Sequence, residues 1–174
     1  MAPTSIKVSI RYGSHMKPLL QALLKTRGDV LELGVGVFST HTLHWLCALQ
    51  GRRLTTMENN RHWYNWGMQY QTDTHQVIRI KDWDDAPIDQ QWDVALIDHS
   101  PDARRFFEIA RLAKRARYII AHDADWRYSQ QYGYDHAFLL FKHQLLYNDI
   151  EPATMILSNF ENLEMFWSEQ KCQS

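Results

Sequence analysis

Asp29-Val-Leu-Glu-Leu-Gly-Val-Gly-Val-Phe-Ser-Thr40 reads as a buried strand that runs into a glycine turn and opens a helix. In that order Gly34 permits a tight turn, and Gly36 lets a small ligand approach the backbone with no Cβ in the way. Ser39 is placed to cap the helix that follows. A second strand with an acidic end, Leu54-Thr-Thr-Met-Glu58, finishes 24 residues after Gly34. That is close to the spacing of about 20 at which a ribose-binding carboxylate is expected.

Outward from this stretch, strand and helix alternate. Residues 15–26 carry Met16, Leu19, Leu20, Leu23 and Leu24 at helical spacing, ahead of the strand at 30–33. A helix over 39–50 stops at Gly51, and a strand follows at 53–57. Next come a Trp-rich helix at 60–70, an alternating strand at 75–80 and an almost wholly apolar strand at 92–97 that suits a sheet covered on both faces. A helix over 101–114, with Pro101 in its first turn, leads to a buried strand at 118–121 that ends at His122-Asp123. Residues 126–135 show no clear period and read as a loop with an aromatic lining (Trp126, Tyr128, Tyr132, Tyr134), placed to close over a substrate. A helix at 136–147 and two short strands at 154–157 and 163–167, paired at the sheet edge, complete the chain. The pattern predicts an α/β fold, a three-layer, doubly wound, mostly parallel sheet. No repeat or linker interrupts it, so one domain over 1–174 is expected, with 1–27 a helical cap and 28–167 the core.

Composition narrows the functional classes. Nineteen Lys and Arg against 20 Asp and Glu give a formal charge of −1, so no global field recruits nucleic acid or an anionic membrane. The local cluster Arg104, Arg105, Arg111, Lys114, Arg115 and Arg117 lies along a predicted helix and reads first as a solvated face, second as a phosphate-facing patch. Cys47 and Cys172 fit neither a disulfide framework nor a zinc spacing. The chain shows no secretory signal and no apolar run of membrane-spanning length, so a cytoplasmic location is expected. Seven Trp and an aromatic content of 13% exceed what a small core needs, leaving rings for a pocket or a homodimer contact.

With Glu32 before the glycine turn, Ser39 and Thr40 where a dinucleotide site wants a third glycine, and Glu58 after the second strand, residues 28–167 resemble the class I S-adenosylmethionine-dependent methyltransferases. An acid before the turn favours a cationic methionine moiety and repels a pyrophosphate. The resemblance implies a Rossmann-like sheet of seven strands with one reversed edge strand, and S-adenosylmethionine as cofactor. By the same resemblance Glu32, Gly34, Gly36, Ser39 and Thr40 surround the methionine part, and Glu58 with Asn59 holds the ribose. Asp82 and Trp83 meet the adenine, and Asp98 sits by the reacting end. Asp82 reads equally well as a turn residue.

Ligands of open α/β sheets bind beyond the carboxyl ends of the strands, so Asp98 with His99 and His122 with Asp123 are the candidate catalytic residues. Methyl transfer from a sulfonium is an in-line displacement that needs alignment and a base, and His99 and His122 each neighbour a strand-end acid. Asp98, Asp123 and Asp125 also offer hard oxygen ligands that would suit Mg²⁺, a cation used in the small-molecule and sugar O-methyltransferase branch that this chain most resembles. Ala124 departs from the catechol-type pattern, which has Asn there, and metal dependence stays open. Asp98-His-Ser-Pro101 lacks the Pro-Pro-Tyr sequence of amino-methylating nucleic-acid enzymes. The expected reaction is methyl transfer to an oxygen of a small molecule or sugar. An aminopropyl transferase on the same fold, or a cofactor-binding module without turnover, remains the alternative.

Overall fold

A computed structural model describes residues 9–168. Cys172 and the first eight residues of the expected cap lie outside them. Seven strands form one sheet in the order β3-β2-β1-β4-β5-β7-β6: β1 (Val30–Leu33), β2 (Leu54–Glu58), β3 (His75–Arg79), β4 (Trp92–Ile97), β5 (Ala116–Ala121), β6 (His143–Tyr147) and β7 (Thr154–Ser158). The pairings among β1 to β5 are parallel, and β7 runs antiparallel to both β5 and β6. This is the expected doubly wound α/β architecture. The reversed strand β7 sits one place in from the edge, with β6 outermost.

Strand parity divides the core. Val30, Val94, Leu96, Tyr118 and Ile120 share one cluster with Leu19 and Leu23 of α1 (Met16–Leu24) and Leu43 of α2 (Ser39–Leu49). Leu31, Leu33, Ala95, Ile97, Ile119 and Ala121 share the other with Ile109 and Leu112 of α4 (Arg105–Leu112). Because successive side chains point to opposite faces, strands with apolar residues on both faces require helices on both sides. The short helix α3 (Arg61–Gly67) starts at Asn60, whose Oδ1 accepts from the amides of His62 and Trp63.

Three expectations are corrected. The segment 126–135 is not a loop: it forms α5 (Trp126–Tyr132) and the start of α6 (Tyr134–Phe138), separated by Gly133 in a left-handed conformation at φ 69°. Tyr132 and Tyr134 pack inward, with the Tyr134 ring stacked on Phe138. The helix read over 136–147 stops at Phe138, and 143–147 is the edge strand β6. There Phe138, Phe141 and Leu145 imitate helical spacing, whereas the chain extends to pair with β7. Residues 163–167 are turns whose Leu163 and Phe166 pack against the α1 core, so the edge hairpin is β6–β7.

Candidate active site

The turn after β1 has the strain that the sequence implies. Gly34 has φ +96°, and a Cβ there would lie 2.5 Å from the Asp98 carbonyl oxygen, because the end of β4 crosses directly over it. Gly36 has a different reason: a Cβ would lie 2.6 Å from Ser39 Oγ. Ser39 is therefore a buried residue of the first helical turn, not its cap. Phe38 holds the cap position without a side-chain bond. Glu58 reaches from the end of β2 into this turn. Its Oε2 accepts from the Val35 amide at 2.9 Å and its Oε1 from the Asn60 amide at 2.7 Å. Burial raises its pKa, against the lowering effect of those amides.

Glu32 shares the α2 face of the sheet with Val30 and is fully buried. Thr40 Oγ1 lies 2.9 Å from Oε2 and Thr56 Oγ1 lies 2.7 Å from it. With Glu32 ionised, each hydroxyl gives its one proton to the carboxylate and accepts elsewhere. Thr40 accepts from the Gly36 amide, and Thr56 accepts from His75 Nε2 at 2.9 Å. His75 Nδ1 is then left bare to accept from His44 Nδ1 at 3.1 Å. Burial pushes Glu32 up to about 7, opposed by the hydroxyl bonds, and pushes His75 down to about 4.

The ends of β4 and β5 are organised by a residue that sequence reasoning misplaced. The basic cluster reads first as a solvated face, yet Arg105 is buried on α4 alongside Glu108, Ile109 and Leu112. Its NH2 bonds Asp98 Oδ1 at 3.0 Å, its NH1 bonds Asp123 Oδ2 at 3.0 Å, and its Nε donates to the His99 carbonyl at 2.8 Å. Asp102 lies 3.5 Å from the same guanidinium. The spacing 105, 108, 109, 112 was the available signal, since it puts Arg105 on the apolar stripe. The other arginines of the basic cluster are also paired: Arg104 with Asp84 and Glu108, Arg111 and Arg115 with Asp89, Arg117 with Asp93 and Glu161.

Parity separates the two candidate histidines. His122 falls on the α1 face, with Nδ1 3.0 Å from Asp98 Oδ1 and Nε2 2.9 Å from Ser14 Oγ. Burial would lower its pKa, but the Asp98 charge and hydrogen bond outweigh this and raise it. Burial works to raise Asp98 in turn, and the charges of His122 and Arg105 hold it well below the usual carboxylate range. The carboxylates of Asp98 and Asp123 remain 23% exposed at the strand ends. Asp123 itself adopts φ 55°. His99 falls on the α4 face instead, fully buried, with Nε2 3.1 Å from Glu108 Oε2 and its ring 4.1 Å from that of Trp83. Burial lowers its pKa, with the Glu108 bond opposing. The structure thus brings Asp98, His122 and Asp123 together and places His99 in the packed interior.

Asp82 is an exposed turn residue that accepts from the Asp84 amide. Trp83 is buried, and its Nε1 and Asn59 Nδ2 both donate to the Ser100 carbonyl, at 3.0 and 2.8 Å. The strand-end acids weighed as magnesium ligands are already engaged by the chain itself. Arg105 already bridges Asp98 and Asp123, and Asp125 Oδ2 accepts from the Ala153 amide.

No protein-family model matches the chain, and no curated protein matches it. Solved structures do match. An O-methyltransferase from Bacillus cereus, in complex with SAH, is 16% identical and superimposes with a TM-score of 0.59 over 88% of this chain and 82% of its own. The N-terminal domain of human METTL16 in complex with SAH is 10% identical, with a TM-score of 0.59 over 90% of this chain and 73% of its own. The human methyltransferase 10 domain containing protein is 10% identical, with a TM-score of 0.58 over 90% and 89%. The fold is therefore the Rossmann-like methyltransferase fold. Among the described residues no helix is long and apolar enough to cross a membrane.

Proposed function

We propose that this chain binds S-adenosylmethionine between the β1 turn and the end of β2 and transfers its methyl group to an oxygen of a small molecule or sugar. The observation that carries the reading is the Glu58 carboxylate, held 2.9 Å from the Val35 amide inside the Gly34–Gly36 turn. Acid and side-chain-free backbone meet at the crevice where the strand order reverses between β1 and β4, the place where open α/β sheets hold ligands. The SAH complexes among the structural neighbours support the same cofactor.

When bound, the cofactor supplies an electrophilic methyl on its sulfonium. Gly34 and Gly36 would flank its methionine part, and Glu58 would accept hydrogen bonds from its ribose hydroxyls. Asp98 and Asp123, reachable at the strand ends, orient an acceptor hydroxyl, and its proton passes to the Asp98–His122 pair. Rate enhancement comes mainly from alignment. The near-zero net charge and the pairing of the α4 arginines support a small acceptor over a nucleic acid.

Calorimetric titration with S-adenosylmethionine and, separately, NAD tests the cofactor. Saturable binding of the first alone, weakened in Glu58→Ala, is expected; no binding at low-millimolar concentration, or preference for NAD, refutes it. A screen of hydroxylated small molecules, sugars and RNA with methyl-labelled cofactor tests the acceptor. Label confined to RNA, an aminopropyl product, or affinity without turnover would each replace the acceptor assignment.

A further inference from the structure

His15, in the turn that enters α1, is 1% exposed, and neither of its ring nitrogens has a hydrogen-bond partner among the described residues. Each such orphaned group costs about 1–3 kcal/mol. Its ring stands edge-on to that of His122, with centroids 4.7 Å apart, and the donor atoms of His15, His122 and Asp98 all lie within 4.8 Å of one another. Arg105 and His122 both bond Oδ1 of Asp98, so its second oxygen is available.

The charge count points the same way. Asp98, Asp102 and Asp123 surround the single guanidinium of Arg105, an excess of two negative charges when the histidines are neutral. A divalent cation matches it. Two imidazoles and one carboxylate suit a borderline transition ion of the zinc type, not magnesium, which prefers oxygen throughout.

We infer that His15, His122 and Asp98 form a binding site for a divalent transition-metal ion, Zn²⁺ in class. Donors about 2.1 Å from one tetrahedral ion lie about 3.4 Å apart, so the side chains, now within 4.8 Å of one another, close in by up to about 1.4 Å on binding. The ion takes the place of the proton shared by His122 and Asp98 and fastens the entry of α1 to the ends of β4 and β5. This donor set shares Asp98 with the acids at 98, 123 and 125 but replaces Asp123 and Asp125 with two imidazoles; an ion here would occupy the pair that takes the proton in the proposed function, and the test reads the metal directly, so it does not depend on the cofactor assignment.

The test uses chelator-treated full chain titrated with Co²⁺ at about pH 8, where imidazoles are neutral, followed by visible absorption and then displacement by Zn²⁺. One ion per chain is expected. His15→Gln should weaken binding at least about tenfold, while the exposed control His62→Gln leaves it unchanged. No binding by the unsubstituted protein, or equal binding by His15→Gln, overturns the inference. Should His15→Gln fail to fold, anomalous scattering from crystals of the unsubstituted protein soaked in Zn²⁺ decides. A peak among His15, His122 and Asp98 supports the site, and its absence there overturns it.

Discussion

Glu32→Gln should remove a pH dependence from the folding stability. The Glu32 carboxyl has an ordinary value of 4.5 and is pushed up to about 7 in the folded chain, because burial among α2, β1 and β2 outweighs the hydrogen bonds from Thr56 and Thr40. A folded-state value above the unfolded one means that the stability contribution is full below pH 4.5 and is lost as pH rises through about 7. In that interval the unfolded chain has released a proton that the folded chain keeps. Each pH unit then costs about 1.4 kcal/mol, or about 3 kcal/mol over the whole interval. The assay is urea unfolding followed by fluorescence and circular dichroism, at pH steps from below 4.5 to above 7, on the unsubstituted chain and the variant. His122, whose pKa is also raised, loses its stabilising effect as pH rises above its ordinary value of 6.5 in both proteins and cancels in the difference. The unsubstituted chain should lose about 3 kcal/mol relative to Glu32→Gln across the interval. Parallel profiles, or a difference of opposite sign, would refute the assignment of Glu32 as a buried acid that resists ionisation.

Two glycine replacements separate backbone handedness from steric contact. Gly51→Ala, at φ +64° with open space around it, should cost about 1–2 kcal/mol, and Gly34→Ala should cost about 2 kcal/mol more because its Cβ meets the Asp98 carbonyl; equal losses in urea unfolding would contradict the close approach of β4. Arg105→Met should destabilise by about 3–5 kcal/mol at neutral pH by leaving Asp98 and Asp123 unpaired, and the loss should shrink in acid as the carboxylates protonate. Tyr134→Phe removes the hydroxyl that donates to the His122 carbonyl at 3.0 Å and should cost about 1–2 kcal/mol by thermal or urea unfolding; no change would show that Arg105 alone fixes this carbonyl.

Most of the sheet was legible because its central strands are apolar at nearly every position, with Glu32, Asp93 and Arg117 the exceptions. Val30–Leu33, Trp92–Ile97 and the Tyr118-Ile-Ile-Ala run could be read without knowing their neighbours. The edge was not. His143–Tyr147 is half-exposed, and Phe138, Phe141 and Leu145 fall at helical spacing, so only its partner β7 decides. The helices of 126–138 were hidden for a related reason. Gly133 breaks the period between them, and a helix of seven residues followed by one of five leaves no pattern long enough to recognise.

The sequence by itself determined the strand–turn–helix at Gly34, the Glu58 position and the α/β class, because each rests on residues within one segment, where backbone handedness and burial pattern act over a few positions. Tertiary structure decided the chemistry at the strand ends. Arg105 meets Asp98 and Asp123 only because α4 packs against the sheet with its charged residue turned inward. His15 meets His122 only because α1 lies on the opposite face. Whether a strand-end histidine reaches the acid pair or the interior depends on strand parity carried one or two residues past the last strand residue. That sends Asp98 and His122 one way and His99 the other.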